Sequence, residues 1–205
     1  MARRAFTTSP AAQSPSSAPH LEIYKKKDIE VLLLDDDIDE IVFSGIDKYG
    51  DLDLKAVNKA ATTDDFKDDL KNETDTTTEP VNNEAMQPLL DKLKSILGDR
   101  VKDVRVSVRL ADSPSCIVSD EDEPSIQMQQ MLRAMGQADF PAPKPTLEIN
   151  PDHEIVRKLV THLEDPLAED AAWLLFDQAL LMEGVTLKDP AAFVQRLNRV
   201  LTQSI

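Results

Sequence analysis

Cysteine, histidine, glycine and aromatic residues are all scarce in this chain of 205 residues, and each shortage removes a class of function. The single cysteine, Cys116, excludes an internal disulfide and suits a reducing compartment. It stands in an apolar Cys-Ile-Val run with no basic neighbour, which reads as a buried structural thiol rather than a nucleophile. The three histidines, His20, His153 and His162, form no metal-ligand spacing with Cys116. His153 and His162 fall on the polar face of a predicted helix. The five glycines, Gly45, Gly50, Gly98, Gly136 and Gly184, are not spaced for a phosphate loop or a dinucleotide turn. No local signature frames a serine nucleophile. Lysine and arginine number 23 against 38 acidic residues, and the formal charge of −15 argues against a nucleic-acid partner. No apolar run approaches the length of a membrane span. The residues thus assign no catalytic, cofactor-binding or metal-binding role, and they point away from an enzyme.

What the chain does have is concentrated at its end. Asp165-Pro166 and Asp189-Pro190 repeat one start signal, an aspartate N-cap followed by proline at the first helical position. They predict helices over Pro166–Glu183 and Pro190–Gln203, with Gly184 at a left-handed cap between them. The first helix is apolar over most of its circumference (Trp173, Leu174, Leu175, Phe176, Ala179, Leu180, Leu181, Met182), whereas a surface helix needs one apolar stripe. The second repeats Phe193, Leu197, Val200 and Leu201 at a helical period. Aromatics make up 4% of the chain, and large apolar residues are thin elsewhere. A second copy is therefore the favoured cover, giving a four-helix bundle across a two-fold axis. The expected seam residues are Trp173, Phe176, Leu180, Phe193, Leu197, Val200 and Leu201. Burial against the rest of the same chain is the competing expectation.

Upstream, residues 1–19 have no acidic residue and are rich in Ser, Ala and Pro, which reads as a disordered leader. Ile29–Leu34 is a continuous apolar run and predicts a buried strand. Asp35–Glu40 clusters carboxylates; such a cluster could bind a divalent cation, but a helix start near Asp37–Ser44 is favoured. Leu52–Val57 alternates and predicts another strand. Residues 20–61 read as the end of an α/β layer, and 62–83, acidic and threonine-rich, as a linker or mobile helix. The unit 84–205 opens with a helix through Met86, Leu89, Leu90, Leu93, Ile96 and Leu97, stopped by Gly98, with Pro88 in its first turns. Val101–Leu110 alternates, with Val104, Val106, Val108 and Leu110 on one side and Arg105, Ser107 and Arg109 on the other. Strands at Cys116–Ser119 and Leu147–Ile149 follow, and Asn150-Pro151 predicts a helix through about Leu163.

Between the last two strands a helix over Ser125–Met135 places Met128, Met131, Leu132 and Met135 in one stripe. Three of the six methionines lie there, and methionine is over-used on surfaces that accept many partners. Packing on the small sheet is the alternative.

Several of these segments together resemble one family. Val101-Lys-Asp-Val-Arg-Val-Ser-Val-Arg-Leu-Ala-Asp-Ser-Pro114, Ser125-Ile-Gln-Met-Gln-Gln-Met-Leu132, Leu147-Glu-Ile-Asn-Pro-Asp-His153, Phe176-Asp-Gln-Ala-Leu-Leu181 and Asp189-Pro190 with Arg196-Leu-Asn198 resemble the C-terminal domain of the ninety-kilodalton heat-shock chaperone (Hsp90) family, bacterial HtpG type. His20-Leu-Glu22, Ile29–Leu34 and Ile38-Asp-Glu40 resemble the end of that family's middle domain. The resemblance implies a cytoplasmic, stress-response, homodimeric chaperone that uses ATP and Mg at full length, with the ATPase domain outside this chain. It implies that the last two helices form the dimer seam and that Met128, Met131, Leu132 and Met135 contact non-native clients. Ile41 stands where some relatives carry a client-contacting tryptophan, and Pro124 where some carry another methionine. The Thr-Gln-Ser-Ile end differs from the Met-Glu-Glu-Val-Asp tail that recruits tetratricopeptide co-chaperones, so none is expected. The expected fold class is α+β: a remnant of an α/β middle domain, then a small mixed sheet with helices ending in a two-helix dimerisation unit. The expected function is homodimerisation and binding of unfolded protein, without nucleotide turnover. A pure homodimerisation module is the rival.

Overall fold

The structure, a computed structural model, describes residues 4–8, 18–34, 36–43, 45–46, 48–59, 83–120, 123–126, 128–129, 132 and 144–204, with the backbone alone for 4–8, 37, 40, 83–84 and 204. The described residues form two small sheets and six α-helices. The first unit holds β1 (Arg4–Thr8), a 3₁₀ turn at Pro19–Leu21, α1 (Glu22–Lys26), β2 (Val31–Leu34), α2 (Asp37–Phe43), β3 (Lys48–Tyr49) and β4 (Leu52–Ala56). Its strand order is β2-β1-β4-β3, with β1 parallel to both β2 and β4 and β3 antiparallel to β4. Here an expectation is corrected. Part of the segment read as a disordered leader, Arg4–Thr8, is one of the two inner strands of this sheet, with the backbones of Val31–Leu34 and Leu54–Ala56 on either side. Leu21, Ile23, Tyr24 and Val57 form the unit's core, and β2 is only half-buried, with Leu33 exposed.

The second unit begins with α3 (Asn83–Leu97) and a 3₁₀ turn at Gly98–Arg100. Met86, Leu89, Leu90, Leu93 and Leu97 recur on one helical face and are buried. Exposed Pro88 lies in the second turn, where it forfeits one backbone bond. Gly98 ends the helix at φ 51°, a conformation that favours glycine. The expected linker, 62–83, lies outside the described residues except for Asn83, which opens α3.

Strands β5 (Asp103–Val106), β6 (Ser115–Val118) and β7 (Thr146–Ile149) form a sheet ordered β5-β7-β6, parallel between β5 and β7 and antiparallel between β6 and β7. Its register sets Val104, Leu147 and Ile117 in one cross-strand row and Arg105, Glu148 and Cys116 in the next. Alternation sends these rows to opposite faces. The apolar row joins α3 and α5 in the main core. The other row faces the first unit, so both faces are covered and every residue of β6 and β7 is buried. The predicted strand Val101–Leu110 is longer than the ladder. Ser107 Oγ accepts from the backbone N–H of Arg109 (3.2 Å) and Leu110 (3.3 Å), which folds the chain into a turn after Val106.

Helix α4 (Glu154–Thr161) starts later than Asn150-Pro151 predicts. Asn150 Oδ1 instead accepts from the Asp152 N–H in a tight turn, and the His153 ring caps the helix by accepting from the Ile155 N–H at 3.2 Å. Half-buried His153 and exposed His162 therefore stand at the two ends of this helix. Helices α5 (Leu167–Met182) and α6 (Pro190–Ser204) close the chain. Asp189 Oδ1 caps α6 by accepting from the Ala192 N–H at 2.9 Å, whereas Pro166 holds the N-cap position of α5 and Asp165 Oδ1, one residue earlier, accepts from the Leu167 N–H at 2.7 Å. Gly184 adopts φ 70° between them.

Candidate interaction surfaces

Helices α5 and α6 pack together in an antiparallel pair. Arg199 Nη1 lies 2.9 Å from Asp170 Oδ2, close enough to attract but not aligned as a hydrogen bond, and Arg196 Nη1 lies 3.5 Å from Asp177 Oδ2. Burial pushes the Asp177 carboxyl above its usual range, although Arg196 and Arg100 pull it the other way. The half-buried Trp173 ring has the Arg196 guanidinium 4.9 Å from its centroid and that of Arg100 at 5.8 Å. It meets Phe176 edge to face at 6.3 Å.

The expected seam residues divide into two sets. Phe176 (1% exposed) and Leu180 (7%) are buried in the chain's own core with α3 and the sheet, which corrects their assignment to a partner surface. The rest of the chain covers α5 better than its sparse apolar content suggests. Trp173 and Phe193 pack partly against that same core, and Val200 is half-buried. Leu197 (37%) and Leu201 (47%) are exposed, and so are two residues outside the expected seam, Val194 (50%) and Leu181 (40%). Val194, Leu197 and Leu201 fall at i, i+3 and i+7, one unpartnered stripe along α6. That spacing was visible in the sequence, rotated slightly from the Phe193-Leu197-Val200 row.

A second apolar surface lies on the first unit. Ile38, Ile41 and Val42 on α2 are exposed, as are Ile46, Leu33 and Tyr49. Ile41, named from the resemblance, sits within it. The methionine stripe is less open. Ile126, Met128, Gln129 and Leu132 are helical; Ile126 and Gln129 are buried, while Met128 and Leu132 are half-buried. Met131 and Met135 lie outside the described residues. Cys116 is buried as expected, and burial, then the Glu148 carboxylate, pushes its thiol well above its usual value. Among the described residues no group of three or more His, Cys, Asp or Glu is placed to hold a metal ion, and no helix is long and apolar enough to cross a membrane.

The family model described as Hsp90 protein matches residues 5–205. The chain belongs to the Hsp90 family. Three relatives named "Chaperone protein HtpG" align with it. That of Treponema denticola is 48% identical over 185 residues, covering 90% of this chain and 28% of the relative. That of Wolinella succinogenes is 44% identical over 191 residues, covering 92% and 30%. That of Ruthia magnifica subsp. Calyptogena magnifica is 42% identical over 197 residues, covering 96% and 30%. This Hsp90-family chain therefore spans less than a third of the length of these relatives.

Proposed function

We propose that this chain is the dimerisation and client-holding segment of a cytoplasmic Hsp90-family chaperone, corresponding to the end of the middle domain and the C-terminal domain. The observation that carries the reading is the exposed row Val194, Leu197 and Leu201 with Leu181, on the helix pair that the family resemblance assigns to the seam. The partner in this reading is a second copy, stacking two helix pairs into a four-helix bundle. The relatives' printed name supports a chaperone role. Client contact is assigned to the exposed α2 face around Ile41 and to Met128 and Leu132, with Met131 and Met135 added from the family resemblance alone. Apolar surface in water is what a non-native chain can cover. The chain is proposed to bind neither ATP nor Mg, since its sequence has no glycine-rich phosphate loop. With its charge of −15 it is not assigned a nucleic-acid partner. A tetratricopeptide co-chaperone is not assigned either.

The half-burial of Met128 and Leu132 favours a second reading, a pure assembly module that dimerises without holding clients. Sedimentation of the purified chain together with an aggregation assay on a thermally unfolding substrate tests both. A dimer that slows aggregation supports the first reading and a dimer that does not supports the second. A monomer at tens of micromolar removes both.

A further inference from the structure

The polar face of the second sheet carries a buried charge cluster that the two apolar surfaces do not use. Glu148, on the central strand, is 1% exposed, and so is Arg109. Glu148 Oε1 receives hydrogen bonds from Arg105 Nη2 at 2.6 Å and Nε at 3.1 Å. Oε2 receives them from Arg109 Nε at 2.9 Å and Ser107 Oγ at 2.9 Å, and Cys116 Sγ lies 3.8 Å away. The carboxylate is thus satisfied inside the second unit. Arg109 reaches further. Its Nη1 donates to the Val57 carbonyl and its Nη2 to the Lys59 carbonyl at 2.9 Å. Those carbonyls lie just beyond β4, on the strand end that leaves the first sheet. The same segment is stitched to the second unit by a bridge between Lys59 and Ser119, with Ser119 N–H donating to the Asn58 carbonyl at 3.2 Å. Lys59 Nζ in turn donates to the carbonyls of Asp120 and Glu123.

A buried ion pair alone is weak evidence of stability, because desolvation can offset the attraction. The use of one guanidinium to hold a carboxylate on one side and two backbone carbonyls on the other is more informative. Its planar, fixed fork gives it direction, which a lysine would lack. We infer that Arg109, held in place by Glu148, is the positioning residue that fixes the first unit to the second, so that the two open as one cooperative body. Glu22 supplies a further tie from the first unit: its carboxylate accepts from the backbone N–H groups of Ala111, Asp112 and Ser113. Losing Arg109 leaves the Glu22 tie, the His20–Glu183 contact at 2.6 Å and the Lys59–Ser119 bridge in place but removes the guanidinium bonds to the Val57 and Lys59 carbonyls.

The aromatic residues provide separate probes. The single tryptophan, Trp173, reports on the second unit, and both tyrosines, Tyr24 and Tyr49, lie in the first. In the full chain, urea unfolding followed by tryptophan fluorescence and by tyrosine near-ultraviolet dichroism should coincide. Arg109→Met keeps the length and apolar stem but removes the fork. It should lower the tyrosine midpoint by about 1–2 M and the tryptophan midpoint by clearly less, because Glu148 loses one partner but keeps Arg105 and Ser107. Arg105→Met, which takes away the half-exposed guanidinium on the same carboxylate, should leave the transitions coincident. Coincident transitions in Arg109→Met, whether or not the midpoint moves, would overturn the inference, since Arg109 would then act within the second sheet alone. If that variant does not fold, native-state hydrogen exchange on the unaltered chain decides. Amides of Leu21–Tyr24 should exchange through the same opening as those of Leu175–Leu180, and a separate, easier opening of the first unit overturns the proposal.

Discussion

Leu197→Ser with Leu201→Ser should separate the proposed dimer without unfolding the protomer. In the single chain Leu181, Val194, Leu197 and Leu201 each remain between about a third and a half exposed. Completing the burial of one such side chain contributes about 1 kcal/mol, taking roughly half of the full transfer value. Four side chains from each of two copies then contribute about 8 kcal/mol, similar to the net free energy of a micromolar dimer. Association itself costs several kcal/mol, so half-buried Phe193 and Val200 and the polar rim must add to the total. The double serine variant removes four of those eight contributions, about 4 kcal/mol, which weakens the dimer about 10³-fold. Analytical ultracentrifugation over a range of concentrations measures that shift directly. Urea unfolding of the isolated protomer should change by about 1 kcal/mol or less, as is usual for exposed positions. Leu180→Ser supplies the contrast. Leu180 lies in the chain's own core, so the change opens a cavity and buries a hydroxyl, costing about 2–5 kcal/mol of folding stability. A dissociation constant that moves less than tenfold in the double variant would refute the assignment of this stripe to the seam. A loss of protomer stability as large as that of Leu180→Ser would refute the exposure of Leu197 and Leu201 in the protomer.

Met128→Ser should leave folding within about 2 kcal/mol of the unaltered chain, since the side chain is only half-buried, and should weaken suppression of substrate aggregation. Undiminished suppression would favour the assembly-only reading. Burial alone would raise the Glu148 carboxyl, but the charge of Arg109 and the bonds from Arg105 and Ser107 outweigh it and hold the group below its usual 4.5. A lowered folded-state pKa contributes stability that is full above the unfolded value and is lost as pH falls through the folded one. The stability difference between the unaltered chain and Glu148→Gln, measured by urea titration, should therefore be constant above about pH 5.5 and shrink progressively below about pH 4.5. A difference that grows on acidification would show the sign to be wrong. Gly184→Ala should cost about 1–2 kcal/mol because φ 70° is strained for a side chain, and Asp189→Ala about 1 kcal/mol through loss of the α6 cap, both read as urea midpoints.

The parts of this structure that a reader of the sequence could see are those written in local periodicity. Helices α3, α5 and α6 announce themselves by cap residues, glycine stops and a 3.6-residue repeat, and strands β6 and β7 were placed within one residue at each end. Strand β1 was not legible. Four of its five side chains alone, Ala-Phe-Thr-Thr, are compatible with a strand, but nothing nearby pairs with them. Its partners Val31–Leu34 and Leu54–Ala56 lie more than twenty residues away and pair in parallel, so no hairpin signal marks the contact. The candidate surfaces split in the same way. Periodicity identified α6 as two-sided. It could not say that Phe176 and Leu180 turn toward α3 and the sheet, because that depends on where elements distant in sequence come to rest.

The polar side of β5 gives the sharper lesson. Arg105, Ser107 and Arg109 alternate with valines, and such a pattern ordinarily describes a sheet with one face in water. Here the alternation is real, but Ser107 and Arg109 are buried and Arg105 is only partly in solvent. Glu148 stands across from Arg105 in the register, and all three residues of the polar set converge on it. A carboxylate in the middle of a central strand, flanked by Leu147 and Ile149 at zero exposure, would be an expensive group to bury without them. The cluster is therefore best understood as the condition for covering that face. A fork that must meet one carboxylate and two carbonyls at once accepts a single docking geometry, and that directional requirement is what the alternation in the sequence encoded.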